Sequence, residues 1–212
     1  TLSIIDIVAS GTVTNNGLFD VQSDLFFGDQ GTSLGTLTFS NATNGELRVS
    51  GGTTSTIGSE GAAAGTENYV LFTNTGTIDV RRGLLQVNVG LNGGAEGGSF
   101  SSTGAILVAA GATLRVGGTL APNAGTIDVA ETGIFRKLGG FTNASTGVLS
   151  GSGTFDVGTG NALTNDGTLL GAGRIEHMRI GGNLVLGGTS VVAVEVGGVT
   201  AGTEFDWIDV AG

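Results

Sequence analysis

A degenerate repeat runs through most of the chain, and it constrains the fold more than any other feature of the sequence. It is anchored by seven glycines, at separations of 28, 31, 28, 21, 22 and 20 residues: Gly17, Gly45, Gly76, Gly104, Gly125, Gly147 and Gly167. A large apolar residue stands two positions after each glycine: Phe19, Leu47, Ile78, Ile106, Ile127, Leu149 and Leu169. Valine or glycine follows two positions later, and the residue between is mostly polar. This alternation predicts a short strand with one buried face.

A polar residue also stands two positions before each aligned glycine. These residues are Asn15, Thr43, Asn74, Ser102, Asn123, Ser145 and Asn165. Each has a side chain that hydrogen-bonds neighbouring main-chain groups, and asparagine tolerates the left-handed backbone of a tight turn. Each unit is therefore predicted to be a polar turn, a glycine and a short strand.

Units of about 20 residues cannot bury an apolar face alone, so they must stack. The sequence predicts an all-β fold, a single-stranded right-handed parallel β-helix (β-solenoid) with coils of about 20 residues and a few inserted loops. Residues 1–212 form one domain in this interpretation. A β-sandwich or jelly roll also has short strands and many turns. Seven repetitions of one register favour the solenoid.

Three segments and the two ends depart from the repeat. Residues 26–34, 58–67 and 93–98 are rich in small and acidic residues and are predicted to be inserted loops. Residues 1–10 are interpreted as a donor strand or as the strand of the first coil. Residues 172–212 are interpreted as divergent C-terminal coils.

Composition excludes several classes of function. The formal net charge of −10 disfavours nucleic acid and anionic membrane surfaces as partners. A hydrophobic fraction of 39% separates this glycine-rich chain from disordered proteins. The chain has no cysteine, which excludes disulfides and thiolate metal sites. It begins at Thr1, which favours a removed signal segment or a fragment of a longer protein.

Two internal segments resemble repeats of bacterial secreted β-helix proteins, namely autotransporter passenger domains and filamentous-haemagglutinin-like adhesins. They are residues 74–80 (NTGTIDV) and 163–169 (LTNDGTL). The tail, with LVLGG at 184–188, VEVGG at 194–198 and FDWIDVAG at 205–212, is similar to a passenger-type pattern. The resemblance covers roughly residues 11–212. It implies a right-handed β-helix at the cell surface or outside the cell, and it brings no catalytic residue with it.

The sequence offers little catalytic chemistry. Residues 31–35 match the G-x-S-x-G pattern of a nucleophile elbow around Ser33, but that pattern needs a strand-to-helix turn and partner residues. His177 is the only histidine, and a metal site would need further ligands. Asp20 and Asp79 flank Arg48 in the column of predicted outward residues, which indicates alternating charges that support the stack. We therefore predict no enzyme activity, no cofactor and no metal.

The two ends of the chain carry the strongest indication of a partner. Residues 2–8 are apolar on both faces, which is typical of a strand buried on both sides, and the C-terminal segment has no charged cap. The candidate self-association residues are Leu2, Ile4, Ile5, Ile7, Val8, Phe205, Trp207, Ile208 and Val210. Head-to-tail addition of strands satisfies both ends. The alternatives are a terminal segment that simply belongs to the first coil, and a piece of a long adhesin.

Two classes of function follow from these observations. The first is an extracellular structural protein, a rod that polymerises through its ends or serves as an adhesin or matrix module with host or matrix ligands. The second is a carbohydrate-active β-helix, such as a polysaccharide lyase or a tailspike-like glycosidase. A cleft with several carboxylates and aromatic residues on adjacent coils favours the second class.

Overall fold

The chain folds into a stack of coils made of parallel β-strands and the turns that join them. This computed structural model describes residues 3–6, 10–29, 36–59, 69–88, 97–171, 173–201 and 203–212. The described residues contain 25 strands and no helix.

The strands are short, mostly of three to six residues. In chain order they are β1 (Ser3–Asp6), β2 (Gly11–Asn15), β3 (Leu18–Val21), β4 (Leu25–Asp29), β5 (Thr36–Asn41), β6 (Glu46–Val49), β7 (Thr54–Ser59), β8 (Tyr69–Asn74), β9 (Thr77–Val80), β10 (Leu84–Val87), β11 (Ser99–Ser102), β12 (Ala105–Val108), β13 (Thr113–Val116), β14 (Thr119–Leu120), β15 (Thr126–Val129), β16 (Ile134–Arg136), β17 (Phe141–Asn143), β18 (Val148–Ser150), β19 (Thr154–Asp156), β20 (Ala162–Asn165), β21 (Thr168–Leu169), β22 (His177–Gly181), β23 (Asn183–Leu186), β24 (Val191–Val192) and β25 (Trp207–Val210).

Each strand pairs with the strand three places earlier in the chain, with the strand three places later, or with both. The stack therefore has three faces, each formed by parallel strands. Face 1 has the order β1-β4-β7-β10-β13-β16-β19-β22-β25. Face 2 has β2-β5-β8-β11-β14 and, after a break, β17-β20-β23. Face 3 has β3-β6-β9-β12-β15-β18-β21-β24. One coil takes one strand from each face, which gives eight coils, and β25 begins a ninth. The predicted parallel β-solenoid is confirmed, and the sandwich alternative is wrong.

The apolar column predicted from the repeat lies on face 3. Phe19 faces Leu47, and the pairing continues without a gap through Ile78, Ile106, Ile127, Leu149 and Leu169. Val192 adds an eighth member that the alignment did not reach. All members between the two terminal coils are buried. The side chains form one continuous row through the core.

Close contact between successive coils explains why the aligned positions are occupied by glycine. A Cβ on Gly104 would lie 2.1 Å from the carbonyl oxygen of Gly76 in the preceding coil, and a Cβ on Gly125 would lie 2.0 Å from that of Gly104. These main chains therefore approach too closely for a side chain. Gly17 in the first coil is the exception, because a Cβ there has nothing within 4 Å.

Faces 1 and 2 supply the other two sides of the core. On face 1 one inward column runs through Ser3, Leu25, Ser55, Leu85, Leu114, Phe135, Phe155, Ile180 and Val210. On face 2 the ring of Phe72 stacks between Phe39 and Phe100, with centroid distances of 4.9 and 5.1 Å. Such stacked rings bury large apolar areas and hold neighbouring coils in register.

A buried ladder of amide side chains follows face 2. Asn15 Nδ2 donates to Asn41 Oδ1, Asn41 to Asn74, and Asn74 to Ser102 Oγ. A second run is formed in the same way by Asn123, Asn143, Asn165 and Ser190, with every amide nitrogen donating toward the C-terminal end of the stack. The same nitrogens also donate to main-chain carbonyls near the turns, for example those of Thr77 and Gly167. The amide nitrogens of the ladder are thereby satisfied without water.

The ladder corrects two members of the predicted turn column. Asn41 and Asn143 occupy the ladder, whereas Thr43 and Ser145 are exposed on the turns that follow. In these two coils the turn is two residues longer, and Gly45 N–H donates to the carbonyl of Ala42 within it. Counting back from the glycine therefore reaches the turn and misses the ladder.

The break in face 2 coincides with the only proline. The register of β14 sets Leu120 opposite Phe100, yet Ala124 N–H donates to the carbonyl of Ser102. One residue is therefore extra, and Pro122, which has no N–H for the sheet, lies in this bulge. The amide ladder stops at the same point, where Asn123 Oδ1 has no hydrogen-bond partner.

The predicted inserted loops are partly strand. Residues 26–29 belong to β4 and residues 58–59 to β7, while most of the remaining loop positions lie outside the described residues. Coil length, measured along the ladder, is 26, 33 and 28 residues at first and 20 and 22 later. The value of about 20 residues therefore holds for the later coils.

The face 3 column gives a matched test of the core. Ile106 is fully buried, and its neighbour Leu107 points outward between Asp79 and Asp128. We expect Ile106→Lys to prevent folding, because an unpaired charge would enter a dry core. Leu107→Lys, with the same added charge, should fold normally. Circular dichroism and urea unfolding measure both, and a folded Ile106→Lys protein would contradict the assigned core.

The amide ladder gives a second test. We expect Asn143→Ala to lower the free energy of unfolding by roughly 2–4 kcal/mol, because its partners Asn123 and Asn165 lose buried hydrogen bonds. Ser145→Ala, at the exposed position that the repeat had indicated, should change it by less than about 0.5 kcal/mol. Urea denaturation compares the two, and equal effects would contradict the assignment.

Candidate functional site

Among the strands that the structure describes, the first coil has three edges without a neighbour. β1, β2 and β3 are each the terminal strand of their sheet. We call these three strands the head. Ile5 is 39% exposed although its position continues the inward row of Phe27, and Val13 and Phe19 are only partly buried. The head therefore presents apolar side chains together with unpaired main-chain groups.

The last strands leave a matching end. β23, β24 and β25 are the terminal strands at the other side of the stack, and we call them the tail. Leu186, Val192 and Val210 occupy inward positions, yet 52%, 37% and 47% of their surfaces are exposed. They are exposed because no coil covers them, and their chemistry is that of core residues.

Two of the five candidate self-association residues near the N-terminus lie within the described part of the chain. Leu2, Ile7 and Val8 lie outside the described residues. Ile4 and Ile5 lie in β1, which pairs in parallel with β4 and so forms the face 1 strand of the first coil. Both residues are exposed in the single chain, so their burial on both sides stays a prediction for joined copies. β1 has a neighbour on one side only.

The C-terminal candidates have different environments. Trp207 and Val210 are about half exposed on β25, and Ile208 packs against the core. Phe205 precedes the strand and forms an isolated antiparallel bridge with Val196. Three of the four candidates thus lie on the tail strand, and Phe205 supports the corner beside it.

A polar cluster fastens the tail strand to the coil below. The rings of His177 and Trp207 stack at 5.0 Å between β22 and β25. Arg179 Nη2 lies 3.2 Å from His177 Nδ1, and His177 Nε2 lies 3.3 Å from Asp209 Oδ2. Since the guanidinium donates to Nδ1, the neutral ring carries its hydrogen on Nε2 and donates to Asp209. The His177 ring is therefore partly covered and has partners on both sides.

A second cluster lies at the corner between faces 3 and 1. Glu176 is fully buried and accepts a hydrogen bond of 2.5 Å from Arg174 Nε, and Arg174 also binds Asp128. Asp206 accepts the main-chain N–H groups of Glu176 and Glu195 at 2.6 and 2.7 Å. Burial lowers the pKa of Arg174, but the bonds to Glu176 and Asp128 outweigh it and raise the pKa above its usual value. The sequence did not reveal this cluster, because its members come from distant segments.

The predicted charge column on face 3 has the expected register but not the expected pairing. Asp20 and Asp79 do flank Arg48. Arg48 nevertheless pairs with Glu46 of its own strand at 2.7 Å. Hydrogen bonds from Gln22 and then Ser50 lower the pKa of Asp20. This column contains no adjacent pair of carboxylates of the kind that glycosidases use.

Arg136 pairs with an acid of the next coil, because its Nε lies 2.7 Å from Asp156 Oδ2. Lys137 does not lie on the outer surface, since it is 9% exposed and its Nζ donates to the carbonyl of Leu138 at 2.9 Å.

The remaining motifs receive limited support. Ser33 and the rest of residues 31–35 lie outside the described part of the chain. Asn41 and Asn143, which begin formal glycosylation sequons, are fully buried in the ladder and inaccessible in the folded chain. Among the described residues no group of three or more His, Cys, Asp and Glu side chains is arranged to hold a metal ion.

Comparison with models of known families, with curated proteins and with solved structures gives no match to this chain. The resemblance to secreted β-helix proteins stays a prediction from the sequence. The part of the chain that the structure describes has no helix with the length and hydropathy needed to cross a lipid bilayer.

The prediction of no enzyme activity can be tested on the two residues that the sequence singled out. We expect no ester or polysaccharide hydrolysis that depends on Ser33 or His177, because His177 is engaged by Trp207, Arg179 and Asp209. Substrate screens with the unmodified chain, Ser33→Ala and His177→Ala measure this. A robust activity that either change abolishes would overturn the prediction.

Proposed function

We propose that this chain is an extracellular structural protein, a β-helical rod whose head pairs with the tail of another copy to build a filament. The observation that carries the proposal is the pair of open ends. Each end presents three terminal strands and core-type side chains without a cover. Parallel strands at both ends have the polarity that continues the stack when head meets tail.

Energetics require the whole end to take part. Full burial of one large apolar side chain contributes roughly 1.5–3 kcal/mol, whereas association costs an estimated 4–15 kcal/mol in lost freedom. One side chain is therefore insufficient, but the apolar residues of the head and tail are buried together in a joint. Main-chain pairing on three faces adds to this gain, because exposed strand edges find partners.

The amide ladder gives the joint a direction. Its nitrogens donate toward the tail, where Ser190 Oγ accepts from Asn165 and has a hydrogen left to donate. At the head, Asn15 Oδ1 accepts from Gly17 N–H at 3.2 Å. A donor at one end and an acceptor at the other favour head-to-tail contacts over head-to-head ones. Such heterologous contacts propagate as a fibre.

The extracellular setting belongs to the proposal and is supported by the resemblance of residues 74–80 and 163–169 to secreted β-helix repeats. A rod of this type also suits an adhesin or matrix module that displays its corners to a ligand. The carbohydrate-active alternative has weaker support, because the acids of face 3 and of the corner cluster are occupied by hydrogen bonds and ion pairs.

Two adjacent residues of β23 provide a matched test. Leu186 and Val185 are 52% and 46% exposed, but Leu186 faces the stack interior and Val185 faces outward. We expect Leu186→Asp to weaken association by at least about 100-fold, because a charge would be buried in the joint. Val185→Asp, with the same charge, should associate nearly as the unmodified chain does.

Sedimentation velocity over a range of protein concentrations, with electron microscopy of the same samples, measures this difference. Circular dichroism checks that both variants are folded. An unmodified chain that remains monomeric at high concentration would refute the proposal, and so would equal association of the two variants.

A further inference from the structure

The two ends of the stack are not flush, because the faces contain unequal numbers of strands. Face 1 has nine strands, whereas face 3 has eight and the two sheets of face 2 have five and three. β1 and β25 both belong to face 1. Ser3 and Val210 are the first and last members of one inward column. The additional strand on face 1 determines which strands of two copies can pair with each other.

Two joints are geometrically distinct. In a stepped joint, β1 of the next copy adds to β25, and faces 2 and 3 then lack one strand each. In a flush joint, β2 of the next copy adds to β23 and β3 adds to β24, and β25 and β1 compete for one position on face 1. The stepped joint leaves gaps of two strand spacings, about 9.6 Å, with four unpaired edges and a void in the core.

We propose that copies join flush and that β25 of one copy displaces β1 of the next, pairing with its β4. This inference rests on the proposed function and specifies the joint. Val210 then stacks on Leu25 of the next copy, Leu186 on Asn15 and Val192 on Phe19. The three rows of the core continue from one copy to the next without interruption.

The contacts that hold β25 and β1 in place indicate which of these two strands is displaced in the joint. β25 is held by the stack of Trp207 on His177, and the preceding Asp206 accepts two main-chain N–H groups. In β1 the side chains of Ile4 and Ile5 are exposed, and the Ser3 side chain makes a long contact of 3.4 Å with Ser23, so main-chain bonds such as Ser3 N–H to the carbonyl of Asp24 hold this strand. β25 is therefore the fixed strand, and β1 is the strand that leaves.

Gly17 supplies independent support for the flush joint. From the second coil to the seventh, the aligned glycine is needed because a main-chain oxygen of the preceding coil lies 2.0–2.4 Å from its Cβ position. Gly17 has no described atom within 4 Å of its Cβ position and no positive φ, so no described residue requires a glycine there. In the flush joint the tail turn that contains Ser190 lies directly above Gly17. In the stepped joint it lies one strand spacing further away.

Engineered disulfides distinguish the joints, because the chain has no cysteine of its own. Val185 and Thr14 both precede a ladder position and face outward, so they lie about 4.8 Å apart in the flush joint. Ala211 and Ile4 follow Val210 and Ser3, and they are adjacent only in the stepped joint. A disulfide needs Cα atoms within about 7 Å.

The experiment mixes chains that each carry one cysteine, so any new cross-link joins two copies. Val185→Cys with Thr14→Cys should give a disulfide-linked pair under mild oxidation, well above either chain alone. Ala211→Cys with Ile4→Cys should not exceed its own single-chain controls. The reverse pattern, cross-linking of both pairs, or filaments without cross-links in either pair would overturn the displacement and leave head-to-tail assembly standing.

Gly17→Ala tests the same joint without cysteine. We expect an unchanged unfolding midpoint and an association weakened by about tenfold or more, because the added methyl group meets the tail turn. Gly104→Ala is the steric control and should lower stability itself. Unaltered association of Gly17→Ala would overturn the flush joint. A monomeric unmodified chain would instead refute the proposed function.

Discussion

The structure depends on main-chain hydrogen bonds between successive coils, made at the same position of every turn. Thr77 N–H donates to the carbonyl of Gly45, Ala105 to Gly76 and Thr126 to Gly104, at 2.9 to 3.1 Å. These bonds require the coils to approach closely, and from the second coil to the seventh the aligned residue is a glycine, which leaves room for that approach. The repeat, the apolar columns and the amide ladder all follow from this single register. Among the described residues, the outer edges of the first and last coils have no strand partner for such bonds.

Face 3 could be predicted from the sequence because a fixed distance links each glycine to the strand after it. Faces 1 and 2 could not be aligned in this way, since the segments before them differ in length from coil to coil. The errors at Thr43 and Ser145 have the same origin: two added turn residues move the ladder position to Asn41 and Asn143. A bulge at Pro122 shifts the register again, and an alignment keyed to glycine passes over it.

The site was predicted in outline only. Apolar terminal segments indicated open ends, but the strand count that makes the ends unequal is a property of the whole stack. The cluster around His177 joins residues 30 positions apart, and the corner cluster joins residues 46 positions apart, namely Arg174 and Asp128. No local motif marks such contacts. They add side-chain contacts to the main-chain pairing of the last strand.

Hydrogen–deuterium exchange at low and high protein concentration tests the central claim most directly, because it reports on the terminal main-chain bonds themselves. The account predicts that amides of β2, β3, β23 and β24 exchange rapidly in dilute protein and become protected as concentration rises. Amides of central strands such as β12 and β15 should be protected at every concentration. Terminal amides that exchange at one rate across the whole range would contradict the account.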